Sequence, residues 1–254
     1  VPEAGDADPQ PLDPPIPYAR ILVIGGGGSR WSAPGNRPTC PDKPGRSVEM
    51  IDLPPLSGTP GWKDAADLHD KRCNGNAILL PDGTVLVCGG VMGKTIGCEI
   101  YDPDNDTWLQ ADPLKYERMY HSTALLLPSG KILIIGGTTD DKMEMELYSP
   151  PYLFRGPRPS YTIPDHHIHH DAEFSIHSPD ACRIKKIGFM RPSAVTHQTD
   201  PEQRYVPVDF ERQGKCELKI RAPKNGAIAP PGYYMLFIVD DCGIPSEARF
   251  VQLH

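Results

Sequence analysis

The sequence has little of what marks the membrane, nucleic-acid-binding and disulfide-rich classes of protein. Its 254 residues include seven cysteines, too few and of odd number for a small disulfide scaffold. No apolar run approaches the roughly 18 residues of a membrane-spanning helix, so we expect no membrane span. The net charge is −7 and there is no basic stripe, which argues against a nucleic-acid partner.

Helical periodicity is also absent, because no long segment repeats apolar residues at helical spacing. What the sequence has instead is 30 prolines and 24 glycines. Short strands joined by tight turns produce this composition. The composition therefore predicts an all-β protein.

A pattern of about 47 residues occurs three times before residue 150. Each copy has an apolar strand ending in Gly-Gly and then a strand that begins with Glu; the Gly-Gly strands are Ile21–Gly26, Val85–Gly90 and Ile132–Gly137. Four short strands in such a repeat are typical of a β-propeller blade. Three blades leave two open sheet edges. We therefore expect an N-terminal portion or a second chain to complete the propeller.

The chain divides into three parts by composition. Residues 1–18 form a Pro- and acid-rich arm, and residues 19–154 hold the blades. A proline-rich break follows, and residues 155–254 carry strand patterns at the spacing of an immunoglobulin-like β-sandwich. The predicted strands of this part are 173–177, 183–189, 204–209, 217–222, 233–239 and 248–253. The chain starts at Val1 rather than Met, without a signal peptide, and we expect a processed or excised product.

The cysteines leave two alternatives open. Cys88 with Cys98, and Cys182 with Cys216, are placed so that each pair could form a disulfide, which would fit an extracellular protein. The alternative is that they are buried reduced thiols acting as small apolar side chains.

Several separated segments share the order and spacing of one known family. They are Arg118–Pro128, Tyr148–Phe154, Val195–Asp200 with Gln203-Arg204, Ala229–Phe237 and Gly243–Ser246. In these segments the chain resembles the C-terminal part of the galactose oxidase and glyoxal oxidase family, the copper-radical oxidases. The resemblance covers roughly residues 18–254.

The resemblance implies both a fold and a site. The family has a seven-bladed kelch-type propeller followed by an immunoglobulin-like domain, so this chain would hold about three blades of the seven. Tyr120 would be the catalytic axial phenolate, and His121 and His197 the imidazole ligands, of one copper ion. The implied reaction is the oxidation of a primary alcohol, aldehyde or carbohydrate with reduction of O₂ to H₂O₂, by a secreted enzyme.

The chain departs from the family in one respect. The family's radical resides on a tyrosine cross-linked to a cysteine in the early blades, and no matching pair is found here. We expect that cofactor only on a missing N-terminal portion. The alternative function is a non-catalytic module that binds glycans or proteins, or a structural extracellular protein that kept the fold.

Other residues are candidates by position. Arg72, Cys73 and Asn74 align one repeat before Arg118–Tyr120, so they are possible substrate contacts at the same rim, although a buried structural role is the favoured interpretation for each. Asp200 and Arg204 follow His197 and would orient it as hydrogen-bonding partners of a metal ligand, or form surface salt bridges.

The densest histidine cluster lies at residues 166–170, with four imidazoles in five residues. Imidazoles at such density can capture a transition metal. On a strand only alternate residues share a face, so two or three of them would converge. We expect a polar loop here, and His177 and His254 carry no signal for a site.

Overall fold

The computed structural model describes residues 19–26, 45–53, 61–90, 97–137 and 144–254; the predicted arm at 1–18 lies outside them. These residues form eighteen β-strands in five sheets and one short 3₁₀ helix. The predicted all-β class is confirmed. Within the described ranges, no helix has the length and apolar character needed to cross a membrane.

Three antiparallel sheets follow one another along the chain, one for each sequence repeat. The first contains β1 (Ala19–Ile24), β2 (Val48–Leu53) and β3 (Lys63–Ala65); the second β4 (Asn76–Leu79), β5 (Val85–Cys88), β6 (Gly97–Asp102) and β7 (Thr107–Pro113); the third β8 (Thr123–Leu126), β9 (Ile132–Ile135) and β10 (Glu146–Tyr148). Each sheet is a meander in which neighbours in sequence pair. This is the topology expected of propeller blades.

The repeated Gly-Gly pairs lie where the backbones of successive turns meet. A Cβ on Gly90 would lie 2.6 Å from the amide nitrogen of Gly75, and one on Gly137 would lie 2.5 Å from the carbonyl oxygen of Met119. Both glycines also have positive φ. Only glycine satisfies the close approach and the backbone conformation together, which explains why the pair recurs.

The repeated arginines form buried ion pairs. Arg72 donates to Glu99 Oε1 at 2.8 Å and to the carbonyl oxygen of Gly89 at 2.9 Å. Arg118 donates to Glu146 Oε2 at 2.9 Å and to the carbonyl oxygen of Gly136 at 3.0 Å. Both arginines are about fully buried, so the same ion pair ties together successive elements of the blades.

The C-terminal part is a sandwich of two sheets. One has the order β11 (His167–Ile168), β18 (Arg249–Leu253), β17 (Gly232–Asp240), β13 (Ile184–Met190), β14 (Tyr205–Val208); the other has β12 (Glu173–His177), β16 (Glu217–Arg221), β15 (Phe210–Gln213). Buried residues of both sheets form one core, including Phe189, Leu218 and Tyr234. Each predicted strand of this part has a counterpart, whereas the short β11 and the polar β15 were not predicted.

The sandwich packs directly against the blades. After β10 the chain forms the 3₁₀ helix Pro151–Phe154, where the hydroxyl of Tyr152 donates to the carbonyl oxygen of Gly130. Met190, Met235 and Phe237 of the sandwich belong to the same buried cluster as residues of β5, β8 and β9. A shared apolar core holds the loops of the sandwich in fixed position over the blades.

The structure decides between the two alternatives for these four cysteines. Cys88 and Cys98 are buried free thiols; a hydrogen bond with Cys98, together with complete burial, raises the pKa of the Cys88 thiol well above its ordinary value. Cys182 and Cys216 are also free thiols, with Cys182 exposed and Cys216 half-buried. The alternative of buried reduced thiols therefore describes Cys88 and Cys98, whereas Cys182 and Cys216 are reduced but not buried.

Candidate metal centre

Tyr120 and His121 occupy the middle of a tight turn just before β8. The amide of Ser122 donates to the carbonyl oxygen of Met119 at 2.9 Å, which closes the turn. The amide of Met119 in turn donates to the carbonyl oxygen of Gly137 at 2.7 Å. Gly137, two residues after β9, therefore fixes the turn that presents both aromatic rings.

His197 is carried by a hairpin of the sandwich, between β13 and β14. Thr196 and Thr199 exchange both backbone hydrogen bonds, each 2.9 Å long. The two residues between them, His197 and Gln198, have φ of 53° and 62°. Two positive φ values are what a two-residue type I′ hairpin requires, and they place His197 at the tip of the loop.

The three predicted ligands converge. The ring centroids of Tyr120 and His121 are 3.9 Å apart and the rings are stacked. His197 contributes the third ring, 5.7 Å from Tyr120 and 4.9 Å from His121. A nitrogen-bound imidazole places its centre about 3 Å from the metal, so two imidazoles on one ion have centres about 4.5–6 Å apart. The spacing of His121 and His197 fits a shared ion.

The side chain of Gln198 joins the hairpin to the blade turn. In the amide orientation that satisfies its neighbours, its oxygen accepts from the amide of His121 at 2.6 Å and that of Ser122 at 3.2 Å. Its nitrogen donates to the carbonyl oxygen of His197 at 3.1 Å. One glutamine thus connects the backbones of both candidate histidine ligands.

A second glutamine anchors the same loop further along. The side chain of Gln203 accepts from the amide of Leu79 at 2.7 Å and donates to the carbonyl oxygen of Ala77 at 3.1 Å. These are the two groups that another strand would use along the edge of β4. The sandwich loop is therefore held against β4, the edge strand of the second blade, whose Asn76 donates to the hydroxyl of Ser122 next to His121.

The backbone at the centre is strained. His121 and His197 both adopt positive φ, a conformation that costs a non-glycine residue about 1–3 kcal/mol and that clusters at functional sites. Both imidazoles are exposed, and Tyr120 is half-buried. The rings are therefore held together while their faces stay accessible to an ion and to a small molecule.

Among the residues that the structure describes, the ring of His197 has one hydrogen-bonding partner, Thr196, whose Oγ1 lies 2.7 Å from Nδ1. This contact leaves Nε2 as the nitrogen open to a metal. Two imidazole nitrogens and one phenol oxygen form a donor set that suits Cu(II). The residues present therefore fit a copper ion.

The predicted partners of His197 bond elsewhere. Asp200 accepts from the amides of Ala194 and Glu202, and Arg204 donates to the carbonyl oxygens of Ala227 and Ile228; these four contacts shape the loop. Among the hydrogen bonds of the described residues, none joins either side chain to the His197 ring. The side chains that contact His197 are instead those of Thr196, at its ring, and Gln198, at its carbonyl oxygen. Nothing in the sequence around His197 distinguishes these two residues from their neighbours.

The predicted rim residues are mostly buried. The guanidinium of Arg72 forms a buried ion pair with Glu99. Cys73 is buried and disulfide-bonded rather than a free thiol. Asn74 is half-buried with a φ of 60°. Of the three, Asn74 is the least buried.

Comparisons with known proteins find similarity to galactose oxidase and to a plant aldehyde oxidase. The family described as Galactose oxidase-like, Early set domain matches residues 158–253. Galactose oxidase of Gibberella zeae is 26% identical over 205 residues, covering 73% of this chain and 30% of that protein. Aldehyde oxidase GLOX of Vitis pseudoreticulata is 27% identical over 270 aligned residues, covering 93% of this chain and 51% of that protein.

A solved structure agrees over the same extent. A fungal alcohol oxidase of the AA5 family, determined in complex with copper, superposes with a TM-score of 0.80 at 26% identity. The match covers 93% of this chain and 52% of the other. The chain thus spans about a third to a half of the length of the relatives it matches.

Proposed function

This chain carries the C-terminal region of the galactose oxidase and glyoxal oxidase family, and from that premise we propose that it supplies part of the copper centre of an oxidase. The substrate class is a primary alcohol, an aldehyde or a carbohydrate, and the electron acceptor is O₂. The proposed ligands are Tyr120, His121 and His197.

The observation that carries the proposal is the convergence of these three rings from two separately folded parts. A blade turn presents Tyr120 and His121, and a type I′ hairpin of the sandwich presents His197. Sequence order alone does not bring them together. The docking of the sandwich on the blades does so, with His121 and His197 centred 4.9 Å apart.

In the proposed reaction two electrons and two protons leave the carbon and a hydroxyl group of an alcohol, or of the hydrate of an aldehyde, and pass to O₂, which becomes H₂O₂. A copper ion held by Tyr120, His121 and His197 would supply the one-electron chemistry. The phenol oxygen of Tyr120, as phenolate, is the group in this chain suited to accept the proton of a substrate hydroxyl. His121 and His197 hold the ligand geometry, supported by Gln198 and Thr196.

The second electron needs a second redox group. We propose that it is a cross-linked Cys–Tyr pair in an N-terminal portion that completes the propeller. The described residues would therefore provide copper ligands, and catalytic turnover would require the complete polypeptide or assembly.

The test is copper content together with oxidase assays. Protein prepared without a polyhistidine tag would be loaded with Cu(II), and its metal content measured by mass spectrometry for wild type and for His121→Ala/His197→Ala. We expect His121→Ala/His197→Ala to hold one equivalent of copper less than wild type. Intact-mass analysis of every polypeptide in the native preparation should reveal a species about two hydrogens light, the mark of a thioether cross-link.

Peroxide release would be followed on the native preparation with a primary alcohol, an aldehyde and a carbohydrate as substrates. Peroxide that depends on Tyr120 supports the proposal. Equal copper content in wild type and double variant, or a native preparation without a cross-linked species, favours a binding module that kept the fold.

A further inference from the structure

A second group of imidazoles lies at the edge of the sandwich, around β11 and the end of β18. β11 pairs with β18 in parallel, with His167 opposite Gln252 and Ile168 opposite Leu253. Ile168 is buried, so the residues on either side of it, His167 and His169, point to the solvent side of the strand. His254 follows β18 and is exposed as well.

The backbone holds these three histidines in one place. The amide of His254 donates to the carbonyl oxygen of Ile168 at 2.9 Å, and the amide of His170 donates to the carbonyl oxygen of His254 at 3.0 Å. The amide of His167 is capped by Asp165 Oδ1 at 2.8 Å. Main-chain hydrogen bonds thus hold the backbone of His254 beside that of residues 167–170. Binding of a metal ion would require movement of the imidazole side chains only.

The rings already face one another. His167 and His254 are stacked with centroids 5.4 Å apart, and Nδ1 of His167 lies 3.1 Å from Nε2 of His254. The ring of His169 is centred 5.5 Å from that of His254. The hydrogen bonds of the described part of the chain do not engage the His169 ring, so it is free to rotate toward the other two.

The 3.1 Å contact between Nδ1 of His167 and Nε2 of His254 is a hydrogen bond between the two rings, and its length also suits two ligands of one ion. Two nitrogens 3.1 Å apart, each about 2.0–2.1 Å from a shared ion, subtend roughly 95–102° at that ion, which lies between square-planar and tetrahedral angles. Both ring-centre separations also fall in the range of about 4.5–6 Å derived above for imidazoles that share an ion. The nitrogens of His167 and His254 already lie together, and the exposed His169 ring has to turn about its side-chain bonds to bring a third nitrogen to the same point.

We propose that His167, His169 and His254 form a second metal site, for a late first-row divalent cation such as Zn²⁺ or Cu²⁺. Three neutral imidazoles suit these ions, and an exposed position leaves the fourth place to water. The site shares no ligand with the Tyr120 centre and does not rest on the proposed function. Its bound ion would fasten the end of β18 to the two-residue β11.

The test is a Zn²⁺ titration of the full chain, made without a polyhistidine tag, against a chromophoric competitor. We expect wild type to bind one equivalent that the His167→Ala/His254→Ala variant lacks. His169→Ala should weaken the Zn²⁺ affinity at least about tenfold. His177→Ala, which removes an exposed imidazole from β12 in the other sheet, should bind as wild type does.

Thermal unfolding gives a second readout. Zn²⁺ binds the folded protein and so should raise the Tm of wild type and His177→Ala but leave that of His167→Ala/His254→Ala unchanged. Equal metal-free Tm values would show that the substitutions leave the fold intact. Unchanged Zn²⁺ affinity in the double variant would overturn the site, and unchanged affinity in His169→Ala would overturn the three-imidazole form.

The two metal sites can be separated with copper. In a Cu²⁺ titration, His121→Ala/His197→Ala and His167→Ala/His254→Ala should each lose one equivalent, and the combined variant two. If only His121→Ala/His197→Ala keeps its full copper content, the proposed oxidase centre is contradicted. If only His167→Ala/His254→Ala keeps it, the site at β11 is contradicted.

Discussion

The imidazoles of His121 and His197 meet edge to face, with ring centroids 4.9 Å apart and planes at 84°. One is fixed by a blade and the other by the sandwich, so the pair exists only when the two parts are docked. A shared apolar core and the contacts of Gln198 and Gln203 maintain that docking. Metal affinity at this centre should therefore depend on groups that never touch the metal.

Single substitutions should separate the ligands from one another. We expect His121→Ala and His197→Ala to weaken Cu(II) by more than the about 10–100-fold that loss of an outer-shell partner costs. Tyr120→Phe should weaken it less, because both nitrogens remain, and should remove any phenolate-to-copper absorption band. Equilibrium dialysis and visible spectroscopy measure both effects. An unchanged spectrum in Tyr120→Phe would exclude the phenol as a ligand.

Gln198→Ala should lower Cu(II) affinity about 10–100-fold although Gln198 is not a ligand, because it releases the backbones of both histidines. Gln198→Glu keeps an acceptor for the amides of His121 and Ser122 and should fall between Gln198→Ala and wild type. Gln213→Ala, at an exposed position in β15, is the matched control. Equal affinities for Gln198→Ala and Gln213→Ala would show that Gln198 does not position the histidines.

Much of the fold could be predicted from local patterns, because they repeat. The Gly-Gly strands and the alternating segments after residue 160 mark strands whose period is fixed by burial of one face. β11 was missed because two residues carry no period, and β15 because its residues after Phe210 are polar. Sequence alone also placed thiols near one another without deciding between disulfides and free thiols.

The candidate site was predictable only in part. Tyr120, His121 and His197 could be named through family resemblance, but their convergence depends on how the sandwich packs on the blades. Gln198 was missed because a glutamine in a turn has no chemical signature, and His254 because its neighbours in space come from β11. Tertiary contacts that join distant segments leave no periodic trace in a single sequence.

Gly137 belongs to the repeated Gly-Gly pair and also accepts the hydrogen bond that fixes the turn bearing Tyr120 and His121. Gly137→Ala should therefore lower both the stability of the fold and the Cu(II) affinity. The new Cβ would lie 2.5 Å from the carbonyl oxygen of Met119 and the backbone would keep a φ of 65°. We expect a loss of more than about 1 kcal/mol in the free energy of unfolding, together with weaker Cu(II) binding as the turn shifts.

Gly26→Ala is the control for this clash. Gly26 has a φ of 96°, but no described atom lies within 4 Å of its Cβ position, so this variant bears only the backbone strain. Urea unfolding and copper dialysis compare the two variants. Equal losses in both would mean that the contact with Met119 does not matter.

Glu99 should give the protein an acid-dependent stability. Burial by itself raises the pKa of its carboxyl, but hydrogen bonds from the His69 amide and from Arg72, with the charge of Arg72, hold the pKa below its ordinary 4.5. The folded state therefore favours the carboxylate. This stabilisation is complete above about pH 4.5 and is lost as the pH falls through the lowered folded-state pKa.

Glu99→Gln leaves Arg72 as a buried charge without its partner and should cost about 3–5 kcal/mol at pH 7. Asp52→Asn breaks the more exposed pair with Arg20 and should cost less than about 1 kcal/mol. Urea unfolding at pH 7 and at pH values below 4.5 measures both. Because Glu99→Gln has no proton to take up at this position, its stability should fall less steeply with acid than that of wild type, and parallel pH profiles would contradict the role of Glu99.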